Sequence, residues 1–327
     1  MSTVEPSAHR LSPALTSLLL VLVALLAYGA LWVAGLWSDP DGELPQGYPL
    51  WAGVATVSFV IWFVVFLSGL RRFRREPGRP ERSRGWWRRS IGIYAVLAVA
   101  TSGLLIWITS AMGISTAQVG AVPSTFRVII LVLTAAGWTA GAPWIMLVWI
   151  TREELREVGG AVKTIDSPAA ADDFDPRSVD GDRLNSIARR MAGVWRGIEG
   201  PALALGLILS TLVLNTGTLR LVVLAAGRPP ETFPPFYVLA YGAFFALVVV
   251  AIVAPLVFEW RRLGFDAIAA ALPEPLSGVP SEAQVSAADR LAARLGLDAP
   301  LLRRPITALG VLAPFATAIL ASLVPSG

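Results

Sequence analysis

The sequence predicts an all-α integral membrane protein with seven transmembrane helices, its amino terminus inside the cell and its carboxyl terminus outside. The mean hydropathy is +0.63 and only 15% of the residues are charged, whereas about a quarter are charged in soluble domains. Long apolar segments recur along the chain, and the segments between them are alternately rich and poor in arginine. Together these three observations favour a multi-pass membrane protein over a soluble domain.

Seven segments are long and apolar enough to cross a bilayer as helices. Crossing takes about 20 apolar residues, because each backbone amide in the hydrocarbon must be bonded within its own segment. The predicted spans are 14–37, 50–70, 91–112, 128–150, 201–224, 236–258 and 305–325. They divide the chain into an inner tail (1–13), four spans (14–150), an inner loop (151–200), two spans (201–258), a second inner loop (259–304), and a last span with an outer end (305–327).

The basic residues set the predicted orientation. Of the 27 lysines and arginines, 24 lie in the tail before the first span or in the segments 71–89, 151–199 and 260–304. Basic residues are retained on the cytoplasmic side during insertion. We therefore expect the chain to lie in the bacterial cytoplasmic membrane, with these segments inside. Because the charges lie beside apolar segments, the sequence gives no reason to expect nucleic acid as a partner.

The segment 71–89 holds nine arginines. We expect it to anchor the chain at the inner leaflet, with two tryptophans at the level of the headgroups. An alternative is a binding site for an anionic lipid, because basic clusters beside a membrane helix attract such headgroups. The predicted anchoring residues are Arg71, Arg72, Arg74, Arg75, Trp86, Trp87, Arg88 and Arg89.

The two long inner loops are predicted to contain short helices. In the first, the fourth helix continues until Gly159 and Gly160, an acidic linker follows, and an amphipathic helix over 183–198 lies on the inner leaflet. In the second, a helix over 281–296 begins with a capping box formed by Ser281 and Gln284. Its predicted apolar stripe is Val285, Ala288, Ala292 and Leu295.

A weak internal similarity suggests a duplication. The pattern RR-x-I-x-x-x-x-VLA occurs near residues 88 and 303, and SPAL near the first span resembles GPAL near the fifth. Both matches relate spans one to three with spans five to seven, as in a parallel 3+1+3 repeat whose fourth span is a linker. Sugar carriers of the SWEET type use this plan, although the chain has none of their motifs.

The fourth span ends with Pro143, Trp144 and Trp149. This ending resembles the Pro-Trp-Trp helix ending of some uncharacterised bacterial multi-pass membrane proteins with repeated helix hairpins. The resemblance covers about ten residues, the first tryptophan is one position early, and Val148 stands where a histidine is expected. That family has no assigned activity, so the resemblance implies no function.

The usual catalytic and metal-binding sets are absent from the sequence. There is no cysteine, and the one histidine is His9. Thiolate metal sites, cysteine nucleophiles, His-rich zinc sites and haem with two histidine ligands all lack parts. We therefore expect no cofactor and no enzymatic activity.

The fifth span carries a polar face. Thr211, Asn215 and Thr218 recur at helical spacing, Arg220 follows near the outer end, and Tyr241 of the sixth span was placed opposite them. These residues could line a polar substrate path. Alternatively, Thr and Asn hydrogen-bond across helix contacts in membranes, and Arg220 reaches outward to phosphate headgroups.

Two hypotheses for function follow. The first is a carrier, or a permease subunit, for a small molecule, which the polar face and the 3+1+3 plan favour. The second is a non-transporting anchor or sensor that binds a cytoplasmic or membrane protein partner, which the long inner loops favour.

Overall fold

The computed structural model describes residues 13–38, 44, 46–74, 84–111, 124–165, 181–272, 278–297 and 305–323. These residues form eight α-helices and one short 3₁₀ turn (Pro230–Thr232), and they contain no strand. The helices are α1 (Pro13–Ser38), α2 (Tyr48–Arg74), α3 (Arg84–Ala111), α4 (Ser124–Lys163), α5 (Gly181–Ala225), α6 (Pro235–Ala271), α7 (Glu282–Leu295) and α8 (Pro305–Ser322). The all-α class is confirmed for this part of the chain.

Five of these helices are long and apolar enough to cross a membrane: α1, α2, α4, α5 and α6. The described part of α8 is a shorter apolar helix. Large apolar side chains on the outside of the bundle face its surroundings, among them Leu25 in α1, Val99 in α3 and Leu320 in α8, each at least 65% exposed. Such a surface is stable in hydrocarbon and unfavourable in water.

Contacts between helix ends show how the helices run. Trp86 near the start of α3 bonds to Glu153 in α4, and Trp260 in α6 bonds to the Met191 carbonyl in α5. Arg72 of α2 bonds to the Arg196 carbonyl of α5, and Arg190 of α5 pairs with Glu157 of α4. Together these contacts bring the arginine-rich ends of α2 to α6 to one end of the bundle, which we call the basic end. The Tyr48 hydroxyl at the start of α2 donates to the Leu31 carbonyl of α1 at the opposite end. Consecutive helices from α1 to α6 therefore alternate in direction.

The closest helix packing joins α5 to α8. A Cβ added at Gly206 would overlap the Gly310 carbonyl oxygen, and one added at Gly310 would lie 2.8 Å from the Ala202 carbonyl oxygen. Further along, a Cβ at Gly217 would lie 2.8 Å from the Ala321 Cβ. Small residues let helix backbones approach closely in membranes, where van der Waals contact drives association. The order of these contacts shows that α8 runs parallel to α5. The carboxyl-terminal end of α8 therefore lies away from the basic end.

Three helices are much longer than a bilayer is thick. With 40, 45 and 37 residues, α4, α5 and α6 are each about 55–68 Å long, against about 30 Å of hydrocarbon. All three extend beyond their predicted spans at the basic end. We call these extensions, together with α7, the head: Thr151–Lys163 of α4, Gly181–Glu199 of α5, Glu259–Ala271 of α6, and Glu282–Leu295.

The head shares one continuous apolar core with the membrane-spanning part of α4, α5 and α6. Its buried side chains come from all four helices: Leu155, Val158 and Val162 of α4; Ile187, Met191, Val194, Trp195 and Ile198 of α5; Trp260, Leu263, Ala267 and Ile268 of α6; and Leu295 of α7. The rings of Trp195 and Trp260 lie 4.7 Å apart at its centre. Because the four faces cover one another, the head is a packed unit.

The head corrects several predictions about the inner loops. The predicted amphipathic helix 183–198 is the first part of α5, continuous with the fifth span, and its apolar face packs on α4 and α6 instead of lying on lipid. The predicted stop at Gly159 is wrong, because α4 continues to Lys163. Residues 259–271, placed in a loop, extend α6. The acidic linker lies outside the described residues.

The short helix of the second inner loop forms as predicted. The Ser281 hydroxyl accepts from the Gln284 amide at 3.3 Å, and the Gln284 side chain accepts from the Ser281 amide at 2.8 Å. Three residues of the predicted stripe, Ala288, Ala292 and Leu295, pack against the core as expected, whereas Val285 is 47% exposed and Gln284 is buried in its place. Gly296 ends the helix in the left-handed conformation, with φ of 73°.

The predicted 3+1+3 duplication finds no support in the packing. Among the described residues, α5, α6 and α8 all pack against one another, whereas of α1, α2 and α3 only α1 and α2 make an extensive contact. The centre of the bundle is instead formed by α4 and α5, which pack together and each contact α2 and α6. The duplication stays a prediction.

Candidate functional site

The polar face of α5 lies against α2. The Trp62 Nε1 donates to the Thr211 Oγ1 at 2.7 Å, and the Asn215 Nδ2 donates to the Ser58 Oγ at 2.6 Å. Trp62 and Ser58 are each only 1% exposed. We call Ser58, Trp62, Thr211 and Asn215 the polar seam. It is a contact between helices.

Most of the hydrogen-bonding capacity of the seam is used within the protein. The Thr211 hydroxyl lies 2.8 Å from the Ile208 carbonyl oxygen, and the Ser58 hydroxyl donates to the Val54 carbonyl at 2.8 Å. The Asn215 Nδ2 also donates to the Thr211 carbonyl at 2.8 Å, whereas its buried Oδ1 has no hydrogen-bond partner. Thr218 is buried and bonds only to carbonyls of its own helix. The geometry matches interhelical bonding rather than the wall of an aqueous path.

The structure separates Tyr241 and Arg220 from the seam, contrary to expectation. The Tyr241 hydroxyl is in hydrogen-bonding reach of Thr216, which lies on another face of α5, and its ring packs edge-on against Phe245 at 4.6 Å. Arg220 does not reach outward: it is 4% exposed, and its Nε donates to the Phe233 carbonyl at 2.7 Å. Arg220 therefore holds the connection between α5 and α6.

The predicted anchoring residues divide into two groups. Arg71, Arg74, Arg88 and Arg89 are exposed at the basic end, and Arg75 lies outside the described residues. The other three make contacts within the protein. Arg72 donates to the Arg196 carbonyl at 2.6 Å, Trp86 donates to Glu153, and Trp87 packs edge-on against Phe73 at 5.3 Å.

Indole N–H groups join helices throughout the bundle. Trp144 in α4 donates to the Val65 carbonyl of α2 at 3.0 Å, and Trp138 donates to Ser102 of α3 at 3.1 Å. Trp260 donates to the Met191 carbonyl of α5 at 3.0 Å. Of the tryptophans, only Trp86 and Trp87 were assigned a position from the sequence, at the headgroups. The spacing of the tryptophans along the chain gives no sign of these partners.

An apolar cleft lies between α3, α4, α5 and α6. Its cavity volume is about 70 Å³, within about 650 Å³ of space that includes its open mouth. Leu97 of α3, Gly137 and Gly141 of α4, Leu205 of α5 and Val248 of α6 line it. The two glycines leave room for the cleft along α4. The cleft was not predicted from the sequence.

A second, polar groove lies on the head between α5 and α7. It has a volume of about 570 Å³ and is lined by Asn185, Ala188, Arg189, Ala192 and Arg294. Both arginines are exposed at its rim. A positively charged groove is suited to an acidic group, because guanidinium groups bind carboxylates through bidentate hydrogen bonds.

Within the described part of the chain, no three His, Asp or Glu side chains lie together as metal ligands. The expected absence of a cofactor stays a prediction. No family model matches the chain, and no curated protein or solved structure is significantly similar to it. The function is therefore inferred from the residues of the seam, the cleft and the head groove.

Proposed function

We propose that the protein is a non-transporting anchor of the bacterial cytoplasmic membrane, whose head binds a protein partner in the cytoplasm through the groove between α5 and α7. The observation that carries this proposal is the unbroken continuation of α4, α5 and α6 from their apolar spans into a packed head. Three helices that continue across this boundary couple the position of the head to the membrane-spanning part, although α5 lacks one helical hydrogen bond there because of Pro201.

The membrane arrangement proposed with it has seven spans, the amino terminus inside and the carboxyl terminus outside. The alternating directions of α1 to α6 and the parallel packing of α8 on α5 support an odd number of crossings. The arginines at one end of the bundle support a cytoplasmic head, because cytoplasmic segments retain basic residues.

The partner is expected to present acidic side chains. Arg189 and Arg294 face the groove at its rim, whereas the neighbouring Arg190 is already paired with Glu157 at 3.1 Å. Ala188 and Ala192 form an apolar floor between the charges. An acidic helix or strand whose small apolar side chains alternate with carboxylates would fit this surface.

Photocrosslinking in intact cells tests the proposal. A photoreactive phenylalanine is placed at Ala188 or Ala192 in the groove, and at lipid-facing Val99 as the control. We expect the groove positions to capture one protein and Val99 to capture only lipid. Reversing both groove charges (Arg189→Glu with Arg294→Glu) should abolish capture, whereas Arg262→Glu, an exposed change on α6, should not. Capture that is insensitive to the groove charges, or capture of lipid alone, would overturn the proposal.

A carrier or permease subunit for a small apolar molecule is the second candidate. The apolar cleft between α3 and α6 favours it, since a site lined by Leu, Val and Gly takes apolar ligands. The polar seam no longer supports this function, because its side chains are bonded across α2 and α5.

A further inference from the structure

We propose that the cleft between α3 and α6 binds one acyl chain of an anionic phospholipid, whose phosphate lies at the arginines of the basic end. This proposal goes beyond the anionic-lipid site considered for the segment 71–89, because it adds a cleft for the acyl chain and the guanidinium group of Arg152 on α4. The proposal is independent of the partner proposed for the head, which lies beyond the bilayer.

The chemistry of the cleft selects an apolar occupant. Leucine, valine and glycine dominate the lining, and three of its polar side chains are already bonded within the protein. The Tyr94 hydroxyl donates to the Trp138 carbonyl, the Trp138 indole to Ser102, and the Thr134 hydroxyl to the Ile130 carbonyl. A polar ligand would therefore lose its hydration and, among the described residues of the lining, find a free hydrogen-bonding group only at Thr101, which is unfavourable.

Access to the cleft comes from the side of the bundle. Among the described residues α3 packs mainly on α4 and makes no extensive contact with α6. Val96 and Val99 on the outer face of α3 are 68% and 73% exposed, so this side of the bundle faces hydrocarbon. An acyl chain can thus enter between α3 and α6 without crossing a polar barrier.

The basic end supplies charge complementarity at the height of the headgroup. Arg152 lies seven residues beyond the cleft residue Ile145 on the same face of α4, a rise of about 10 Å. Arg88 and Arg89 lie six and five residues before Tyr94 on α3, a rise of about 8–9 Å, but about 120–140° around the helix from it, so they flank the cleft and Arg152 is the guanidinium on its face. The headgroup region extends about 5–8 Å beyond the hydrocarbon. Guanidinium groups at these positions can therefore reach a phosphate whose acyl chain fills the cleft.

The small residues of α4 provide the volume. A Cβ at Gly141 would lie 3.6 Å from Leu205 Cδ2 and 4.0 Å from the Tyr94 hydroxyl, so a methyl group fits. A larger side chain at this position would occupy the cleft itself. Gly92, on the exposed face of α3, has no neighbour within 4 Å of an added Cβ and provides a matched control.

The test uses phosphatidylglycerol with a photoreactive diazirine in one acyl chain, in liposomes that contain the purified protein. After illumination, the labelled residues are mapped by peptide mass spectrometry. We expect labels on cleft residues such as Leu97 and Val248. Gly141→Leu should reduce these labels roughly tenfold, because its side chain fills the same volume, and Gly92→Leu should not. Labels confined to outer residues such as Val99 in the unaltered protein would overturn the site without relying on any variant.

A second arm tests the headgroup. Phosphatidylcholine with the same diazirine chain replaces phosphatidylglycerol. We expect phosphatidylglycerol to label the cleft several-fold more, and the double change Arg88→Gln with Arg152→Gln to remove this preference while both lipids still label. Equal labelling by the two lipids in the unaltered protein would overturn the assignment of an anionic lipid.

Discussion

The Trp62 Nε1 of α2 and the Thr211 Oγ1 of α5 lie 2.7 Å apart, and both side chains are buried between the two helices. Polar groups in the apolar part of a membrane protein are unfavourable unless they bond to one another. One turn further along α5, Asn215 makes the equivalent contact with Ser58 of α2. The polar residues of α5 therefore hold two helices together, and their presence is not a sign of transport.

The first prediction concerns this bond. Trp62→Phe keeps most of the ring and removes the donor, so we expect a coupling of about 0.6 kcal/mol between it and Thr211→Val, the average for such bonds in membranes. A double-mutant cycle in a detergent-unfolding titration measures this free energy. Trp37→Phe, at a position 83% exposed, should leave the midpoint unchanged. Strictly additive effects of the two seam variants would show that the bond contributes nothing.

The second prediction concerns the contact between α5 and α8. Gly206→Ala places a methyl group on the Gly310 carbonyl oxygen, so the helices must separate. We expect a loss of about 1–3 kcal/mol in the free energy of unfolding, as is typical of overpacked contacts. Gly193→Ala, where an added Cβ meets no neighbour, should be neutral or slightly stabilising. Equal free energies of unfolding for Gly206→Ala and Gly193→Ala would contradict the close packing of α5 on α8.

The third prediction concerns the start of α7. Ser281→Ala removes the oxygen that accepts from the Gln284 amide, which should reduce the local stability of α7 by about 1 kcal/mol. Hydrogen exchange followed by mass spectrometry should show faster exchange in the first turn of α7. Ser286→Ala, in the middle of the helix, serves as the control. Unchanged exchange in Ser281→Ala would contradict the capping role.

The fourth prediction concerns Arg72. Pro201 lacks an amide hydrogen, so the carbonyl of Gly197 cannot accept the usual helical bond. Arg72 donates to the adjacent Arg196 carbonyl at 2.6 Å, beside this interruption. We expect Arg72→Met to reduce the free energy of unfolding by about 1 kcal/mol, whereas Arg71→Met, at an exposed position, should have no effect. Equal free energies of unfolding for the two variants in an unfolding titration would show that the bond from Arg72 does not stabilise the fold.

The positions of the long apolar helices were predictable because apolar length is a property of each segment by itself. The predicted span 14–37 and the observed α1 (Pro13–Ser38) differ by one residue at each end. The head was not predicted, because its packing depends on contacts between segments that are distant in the sequence. Gly159 and Gly160 were interpreted as the end of the fourth helix and the helix 183–198 was placed on lipid, although Leu155, Val158 and Val162 continue an apolar face at helical spacing. That stripe was visible in the sequence.

The partners of polar and aromatic side chains could not be predicted from one chain segment. The residues that flank a tryptophan in the sequence are the same whether its indole lies at the membrane surface or bonds to another helix. Trp144 and Trp260 lie near predicted span ends, where headgroup contact is common, and they bond instead to carbonyls of α2 and α5. The stripe Ala202, Gly206 and Ser210, by contrast, has the small-residue spacing of a close helix contact. It could have predicted the position of α8.

The labelling of a cysteine at position 215 tests the central claim most directly, namely that the polar face of α5 is sealed against α2. The chain has no native cysteine, so Asn215→Cys carries the only thiol. We predict that a membrane-impermeant maleimide added from either side of native membranes leaves it unlabelled and that it reacts fully after denaturation. Arg290→Cys in the head and Arg228→Cys at the opposite end should each react from one side. Labelling at position 215 in folded protein, from either side, would reveal an aqueous path and contradict the account.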